Sequence, residues 1–171
     1  MTEQPGSLIG LATIKGMCEL ASTCPPGCFV EFGVYQGGSA WALSQVAEKQ
    51  GRKIYLYDTF TGIPFKSELD SCEVGQFSDT SFDQVRKAIP YATIVQGIFP
   101  DSYYPIEPIA FAHIDADQYQ SIKDAISIFS PLMVLGGLMV FDDVGFLNGA
   151  TMAFNESGLN KTDHGKTTVR F

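Results

Sequence analysis

Two short acidic segments carry the strongest chemical signal in the sequence. One contains His113, Asp115 and Asp117, and the other contains the adjacent pair Asp142 and Asp143. Each segment ends an apolar run that predicts a buried strand, so the four carboxylates are expected to converge at one edge of a sheet. Like charges repel unless a cation or a shared proton compensates them, and ligation by oxygen alone favours magnesium, manganese or calcium. The alternative is a set of solvated or helix-capping aspartates.

A glycine-rich segment follows the first apolar run of the chain. It extends from Glu31 to Ser39 and contains Gly33 and Gly37, which permit a tight turn and the close approach of a ligand to the backbone. The spacing differs from the GxGxxG motif and from the P-loop, which disfavours a nucleotide-binding dehydrogenase. The acidic Glu31 suits a cationic ligand that carries an amino acid better than a pyrophosphate. An ordinary strand-to-helix turn is the alternative interpretation.

Asp58 stands at the end of the second apolar run. In sheets that bind nucleosides, an acidic residue at this position accepts hydrogen bonds from ribose hydroxyls. It follows Gly37 by about 20 residues, which is the spacing that nucleoside recognition requires. An aspartate that only opens a loop would have the same local sequence, but the two signals support one another.

Strands and helices are predicted to alternate along the chain. Such an alternation is typical of a mostly parallel sheet with helices on both faces, which binds ligands beyond the carboxyl ends of its strands. Residues 59–78 are predicted to form a long loop, and such a loop inside a compact domain is usually functional or mobile. A single domain is expected over 1–171, with a leading helix and its connection in 1–27. The predicted strands are 28–33, 53–57, 92–95, 109–114, 134–141 and 167–171, and the predicted helices are 7–21, 38–49, 79–89, 119–129 and 148–156.

Composition narrows the class of protein further. The chain has 171 residues with 45% hydrophobic and 18% charged residues, as in an ordinary globular protein. The net charge of -8 argues against a nucleic-acid partner, because a polyanion would be repelled. No segment predicts a membrane span, the first residues do not resemble a secretory signal, and His164 is expected at the surface. A cytoplasmic location is therefore expected.

Taken together, these residues resemble the macrocin O-methyltransferase family, whose members are metal-dependent enzymes that methylate sugar hydroxyls. The matching segments occur in the family's order and span most of the chain; they are 30–39, 56–64, 96–101, 113–119 and 136–143. The resemblance implies a Rossmann-like class I methyltransferase fold, with a seven-stranded sheet that has one antiparallel edge strand. It also implies S-adenosylmethionine as methyl donor and Mg²⁺ or Mn²⁺ as metal.

The resemblance also implies roles for individual residues. Asp115, Asp142 and Asp143 are predicted to ligate the metal, and Asp117 is predicted to be the base, with His113 as second choice. The loop 62–78 is predicted to act as a partial lid. Residues predicted to bind the donor are Glu31, Gly33 and Gly37 around its methionine portion, Asp58 at its ribose, and Tyr35, Ser39, Thr59, Phe60, Gly97 and Phe99.

The predicted function is metal-assisted methyl transfer to a hydroxyl of a sugar-like small molecule. The metal lowers the pKa of the acceptor hydroxyl and orients it toward the methyl group. The same fold acting on a catechol or another vicinal diol is an alternative, because both kinds of acceptor chelate a metal in the same way. A non-catalytic module that binds S-adenosylmethionine or a metal is a further alternative. The sequence leaves homo-oligomerisation open.

Overall fold

The computed structural model of the protein describes residues 5–162 and 166–171. The predictions made for the first four residues and for His164 lie outside these ranges. Within them, no helix has both the length and the apolar character that crossing a bilayer would require.

The predicted elements are confirmed in type and order. The strands are β1 (Cys28–Phe32), β2 (Ile54–Asp58), β3 (Thr93–Gln96), β4 (Ile109–Ile114), β5 (Met133–Phe141) and β6 (Thr167–Arg170). The helices are α1 (Leu11–Ser22), α2 (Gly38–Lys49), α3 (Phe82–Ala88), α4 (Tyr119–Phe129) and α5 (Asn148–Glu156), with a 3-10 turn at Ser130–Leu132.

The first helix begins later than predicted. Gly10 is its N-cap, and the backbone N–H of Ile9 donates a hydrogen bond to Ser7 Oγ, which holds this segment in a turn before the helix. Short side-chain bonds of this kind compete with helical backbone bonds, so an apolar periodicity that starts at Leu8 overestimates the length of the helix.

The strands form one sheet in the order β3-β2-β1-β4-β5-β6, in which β6 alone runs antiparallel to its neighbour. The predicted class of sheet is confirmed, but the predicted number of seven strands is wrong, since the described part of the chain forms six. Only residues 157–166 join α5 to β6, and their described part contributes an isolated bridge between Thr162 and Thr168. A further parallel strand would need a crossover of about a dozen residues or more before it.

Both faces of the sheet are covered by helices. Strands β1 and β4 are buried along their whole length, as expected for central parallel strands. Helices α4 and α5 pack on one face, and α1, α2 and α3 pack on the other. Because the central strands are held on both sides, the loops at their carboxyl ends have fixed positions.

Aromatic packing anchors α4 against the sheet. The fully buried Phe129 has its ring centroid 5.2 Å from that of Phe99, 5.6 Å from that of Tyr57 and 6.4 Å from that of Phe32. Ring pairs at these separations add to the free energy gained from burying their area. This cluster therefore fixes the helix that follows the acidic end of β4.

We expect Phe129→Ala to reduce the free energy of unfolding by about 3–5 kcal/mol, because it leaves a cavity between α4 and the sheet. Phe146→Ala is the matched control, since Phe146 is 79% exposed, and it should cost less than about 1 kcal/mol. Urea denaturation measures both values. Equal losses for the two variants would contradict this description of the core.

Candidate active site

A cavity extends across the carboxyl ends of the central strands. It is walled by the loops that follow β1 to β5, by residues 6–9 and by part of the long loop after β2. The predicted site residues that line it are Gly33, Tyr35, Ser39, Asp58, Thr59, Gly97, Phe99, Asp115, Asp117, Asp142 and Asp143. The remaining predicted residues also lie in the described part of the chain but are absent from the lining; they are Glu31, Gly37, Phe60 and His113.

Three carboxylates meet at the ends of β4 and β5. One ligand atom from each of Asp115, Asp142 and Asp143 lies within 4.8 Å of the others. Burial raises the pKa of Asp115 well above its usual value, and the neighbouring charges of Asp143 and Asp142 raise it further against the opposing effect of His113. Burial, followed by the charge of Asp142, likewise raises the pKa of Asp143. A cation at this position would relieve the repulsion.

A protein cation already pairs with this cluster. Lys166 Nζ lies 2.6 Å from Asp142 Oδ1 and donates a hydrogen bond of 3.1 Å to the carbonyl oxygen of the same residue. The ammonium group compensates one of the three carboxylates. Since oxygen ligands of this kind are those preferred by hard divalent ions, the three residues fit Mg²⁺ or Mn²⁺.

Asp117 occupies a constrained position beside the cluster. Its backbone lies in the left-handed region at φ 59°, and its N–H donates a hydrogen bond of 2.9 Å to Asp143 Oδ2. Its Oδ1 accepts a hydrogen bond of 3.7 Å from Cys72 Sγ on the long loop. Burial, followed by the charge of Asp143, raises the pKa of Asp117 to about 7. The geometry thus places a basic carboxylate at the wall of the cavity.

Glu31 and His113 form a buried polar pair at the level of the sheet. Glu31 Oε1 accepts a hydrogen bond of 2.6 Å from Ser39 Oγ and lies 2.9 Å from His113 Nδ1. Burial lowers the pKa of His113, but the hydrogen bond and the charge of Glu31 outweigh it and bring the value to about 9. The pair connects the central strands to the start of α2. The predicted donor contact of Glu31 and the predicted role of His113 as second-choice base stay predictions.

Asp58 organises the glycine-rich turn. Its Oδ2 accepts hydrogen bonds from the N–H groups of Val34 at 2.7 Å and Tyr35 at 2.8 Å, and its Oδ1 accepts one of 2.7 Å from Phe60 N–H. Gly33 has φ +87°, and a Cβ there would lie 1.7 Å from the carbonyl oxygen of Asp115. The turn therefore depends both on the carboxylate and on the absence of a side chain.

Several residues that were not among the predicted site residues also line the cavity. Gln118 and Ser121 contribute from α4 and its N-cap, and residues 6–9 contribute from before α1. The backbone N–H of Gly38 donates a hydrogen bond of 3.1 Å to the carbonyl oxygen of Gly6, which places this leading segment over the start of α2. From the predicted lid, Gly62, Ile63, Pro64, Phe65 and Phe77 line the cavity.

Solved structures identify the fold as that of class I methyltransferases. The O-methyltransferase NovP superposes with a TM-score of 0.81 at 20% sequence identity, over 96% of this chain and 81% of NovP. The calicheamicin methyltransferase CalS11 superposes with a TM-score of 0.76 at 18% identity, over 94% of this chain and 78% of CalS11. At these identities the similarity establishes the fold alone.

The sequence places the chain within one group of this class. The sequence model of the macrocin-O-methyltransferase (TylF) family matches residues 14–162, and the chain belongs to that family. A 4'-O-methyltransferase of a rhamnosyl-tetracenomycin from Streptomyces olivaceus is 27% identical, and the demethyldecarbamoylnovobiocin O-methyltransferase of Streptomyces niveus is 26% identical. Each match covers 69% of this chain and 53% of the relative, so the chain spans about half the length of these relatives.

We expect Gly33→Ala to destabilise the strand end far more than Gly51→Ala. Both glycines have positive φ, but no atom of the described residues lies within 4 Å of a Cβ at Gly51, whereas the Cβ at Gly33 would collide with the backbone at Asp115. Both substitutions introduce backbone strain at a positive φ. At Gly33 the collision should lower the free energy of unfolding by about 1–3 kcal/mol or more in addition. Thermal unfolding of both variants measures the difference, and equal losses would contradict the close approach of β1 to the acidic loop.

Proposed function

We propose that the protein is an S-adenosylmethionine-dependent O-methyltransferase that uses a divalent cation and acts on a hydroxyl of a sugar-like small molecule. Family membership and fold support the class of reaction. The observation that carries the proposal is the position of three converging carboxylates in the same cavity as the glycine-rich turn and Asp58. A donor site and a cation site thus share one space.

The donor would extend along the glycine-rich turn. Gly33 and Ser39 line the cavity close to the N-terminus of α2, where backbone N–H groups favour a carboxylate such as that of a methionine. Asp58 lines the cavity, and its Oδ1, which among the described residues accepts only the bond from Phe60 N–H, has a remaining lone pair for a ribose hydroxyl.

S-adenosylmethionine would supply the methyl group, and a bound cation would supply Lewis-acid polarisation of the acceptor hydroxyl. Asp115, Asp142 and Asp143 would hold the cation. Asp117 lies at the wall of the cavity and accepts the proton of the acceptor hydroxyl. Phe65 and Phe77, from the long loop, limit access of water from the open side.

The names of the two Streptomyces relatives support a sugar-bearing acceptor, since one specifies a rhamnosyl group and the other a novobiocin derivative. The exposed Phe146, whose ring lies 5.2 Å from Lys166 Nζ, offers an apolar face next to the acidic cluster. Flat apolar faces of this kind pack against the C–H surface of sugar rings.

We expect Asp117→Asn to lower turnover at least about 100-fold, because the variant has no base for the acceptor proton. Affinity for S-adenosylmethionine should stay nearly unchanged, because the substitution keeps the size of the side chain. Asp83→Asn, at an exposed position of α3, is the matched control and should retain full turnover. Calorimetry measures donor affinity, and mass spectrometry of the methylated acceptor measures turnover.

The acceptor screen for this experiment contains deoxysugar glycosides, nucleotide-linked deoxysugars and simple catechols, each with Mg²⁺ and after chelation. Turnover on a glycoside that is lost on chelation supports the proposal. Turnover on catechols alone would replace the sugar by a vicinal diol, and donor binding without any turnover would leave a binding module. Loss of donor binding and turnover together in Asp117→Asn would contradict the role given to Asp117.

A further inference from the structure

The N-terminus of α4 receives its cap from another part of the chain. Within the described structure, the side chain of the N-cap residue Gln118 makes no capping bond, and the first turn contains no acidic residue. Asp70, in the predicted lid 62–78, lies there instead, and its Oδ1 accepts a hydrogen bond of 2.7 Å from the backbone N–H of Tyr119. Because the first N–H groups of a helix lack partners within it and carry partial positive charge, a carboxylate at this position fastens the lid to the helix.

The carboxylate of Asp70 is buried in a place that three elements shape. Its Oδ2 accepts hydrogen bonds from the backbone N–H of Ser67 at 2.9 Å and from Ser67 Oγ at 2.7 Å, both within the lid. Gly149, in the first turn of α5, leaves room for it, since a Cβ there would lie 2.4 Å from Asp70 Oδ1. The lid, α4 and α5 therefore all determine where this side chain lies.

The lid is also closed at its base. The backbone N–H of Ile63 donates a hydrogen bond of 2.9 Å to the carbonyl oxygen of Gln76, and Gly75 N–H donates one of 2.9 Å to the carbonyl oxygen of Ile63. Asp70 lies in the middle of the segment that these bonds close. A loop whose ends are already held together loses less conformational entropy when its middle docks, so one buried carboxylate is enough to fasten it.

The fastened loop reaches the candidate base. Cys72, two residues after Asp70, is buried, and its thiol donates the 3.7 Å hydrogen bond to Asp117 Oδ1. Asp117 stands two residues before Tyr119, in the left-handed backbone conformation that a residue with a side chain keeps only when its surroundings hold it. The bond from Asp117 N–H to Asp143 holds it on one side. The bond between Asp70 and Tyr119 fixes the chain directly after it.

We propose that Asp70 is a positioning residue for the methyl transfer: by fastening the lid to α4, it orients the Asp117 carboxylate toward the acceptor hydroxyl. Asp70 is not among the residues that line the cavity, so its effect passes through the residues that it holds. The inference rests on the proposed function and adds to it a residue that acts through the base.

Hydrogen exchange followed by mass spectrometry tests the fastening without any ligand. Asp70→Ala removes the cap, and it should speed exchange of residues 63–76 and of the first turn of α4 together, by at least about fivefold. Glu68→Ala is the matched control, because Glu68 lies exposed on the same loop and its loss changes the charge equally. This control should exchange at the rate of the wild type in both segments.

Turnover tests the positioning, with saturating S-adenosylmethionine and a deoxysugar glycoside that the wild type methylates. Asp70→Ala should lower turnover at least about tenfold, because a displaced base reacts poorly. Asp70→Asn keeps one acceptor oxygen for the N–H of Tyr119 and should recover part of this loss. When Asp117 is already asparagine, adding Asp70→Ala should change the residual turnover less than about twofold, since no base remains to be positioned.

The possible results are distinct. If the wild type methylates no acceptor, the proposed function fails together with this inference. If the wild type is active but Asp70→Ala exchanges as the wild type does, the inference alone is overturned. The same holds if Asp70→Ala lowers turnover by one factor with and without the Asp117 carboxylate, which is the result of a merely structural role.

Should Asp70→Ala not fold, Gly149→Ala decides in its place. The new Cβ would displace Asp70 Oδ1 from Tyr119, whereas alanine itself is favourable in a helix. Faster exchange of the lid and of the first turn of α4, with a loss of turnover that depends on Asp117, supports the inference. Exchange and turnover equal to those of the wild type overturn it.

Discussion

Repulsion among carboxylates at the ends of two neighbouring strands is the constraint around which this structure is arranged. Asp115 follows β4, and Asp142 and Asp143 follow β5; the parallel pairing of Ile114 with Phe141 brings the two loops to the same level. Their ligand atoms lie within 4.8 Å of one another, and burial raises the pKa of Asp115 and Asp143. The folded core has to hold these groups together against their charge.

Several interactions oppose that repulsion. Lys166, the residue before the antiparallel strand β6, neutralises part of the charge, and Asp117 N–H donates a hydrogen bond to Asp143. The buried Glu31 and His113 side chains bond to each other and so connect β1 to β4, just before the acidic loop begins. The core on both faces fixes the strands themselves. These interactions together hold the three carboxylates in position for a cation. The packing of the sheet thereby supports the proposed chemistry.

The acidic cluster could be predicted from the sequence because apolar runs mark the strands, and parallel strands present their carboxyl ends at one edge. The pairing of Glu31 with His113 could not, since it depends on the register between strands that are far apart in the chain. Gln118 carried no signal either, and only the structure shows that this residue is the N-cap of α4 at the wall of the cavity. The sixth strand could also be predicted from its apolar residues. The seventh strand was implied only by the family resemblance, and the connection between α5 and β6 is too short for it.

The most direct test of the central claim is a crystal structure of the protein soaked with Mn²⁺, with data collected for the anomalous signal of manganese. We expect one strong anomalous peak bonded to carboxylate oxygens of Asp115, Asp142 and Asp143, with the Lys166 ammonium displaced from Asp142. A map without a peak at the cluster, in which Lys166 still pairs with Asp142, would contradict it and leave the three carboxylates to be stabilised by the protein alone.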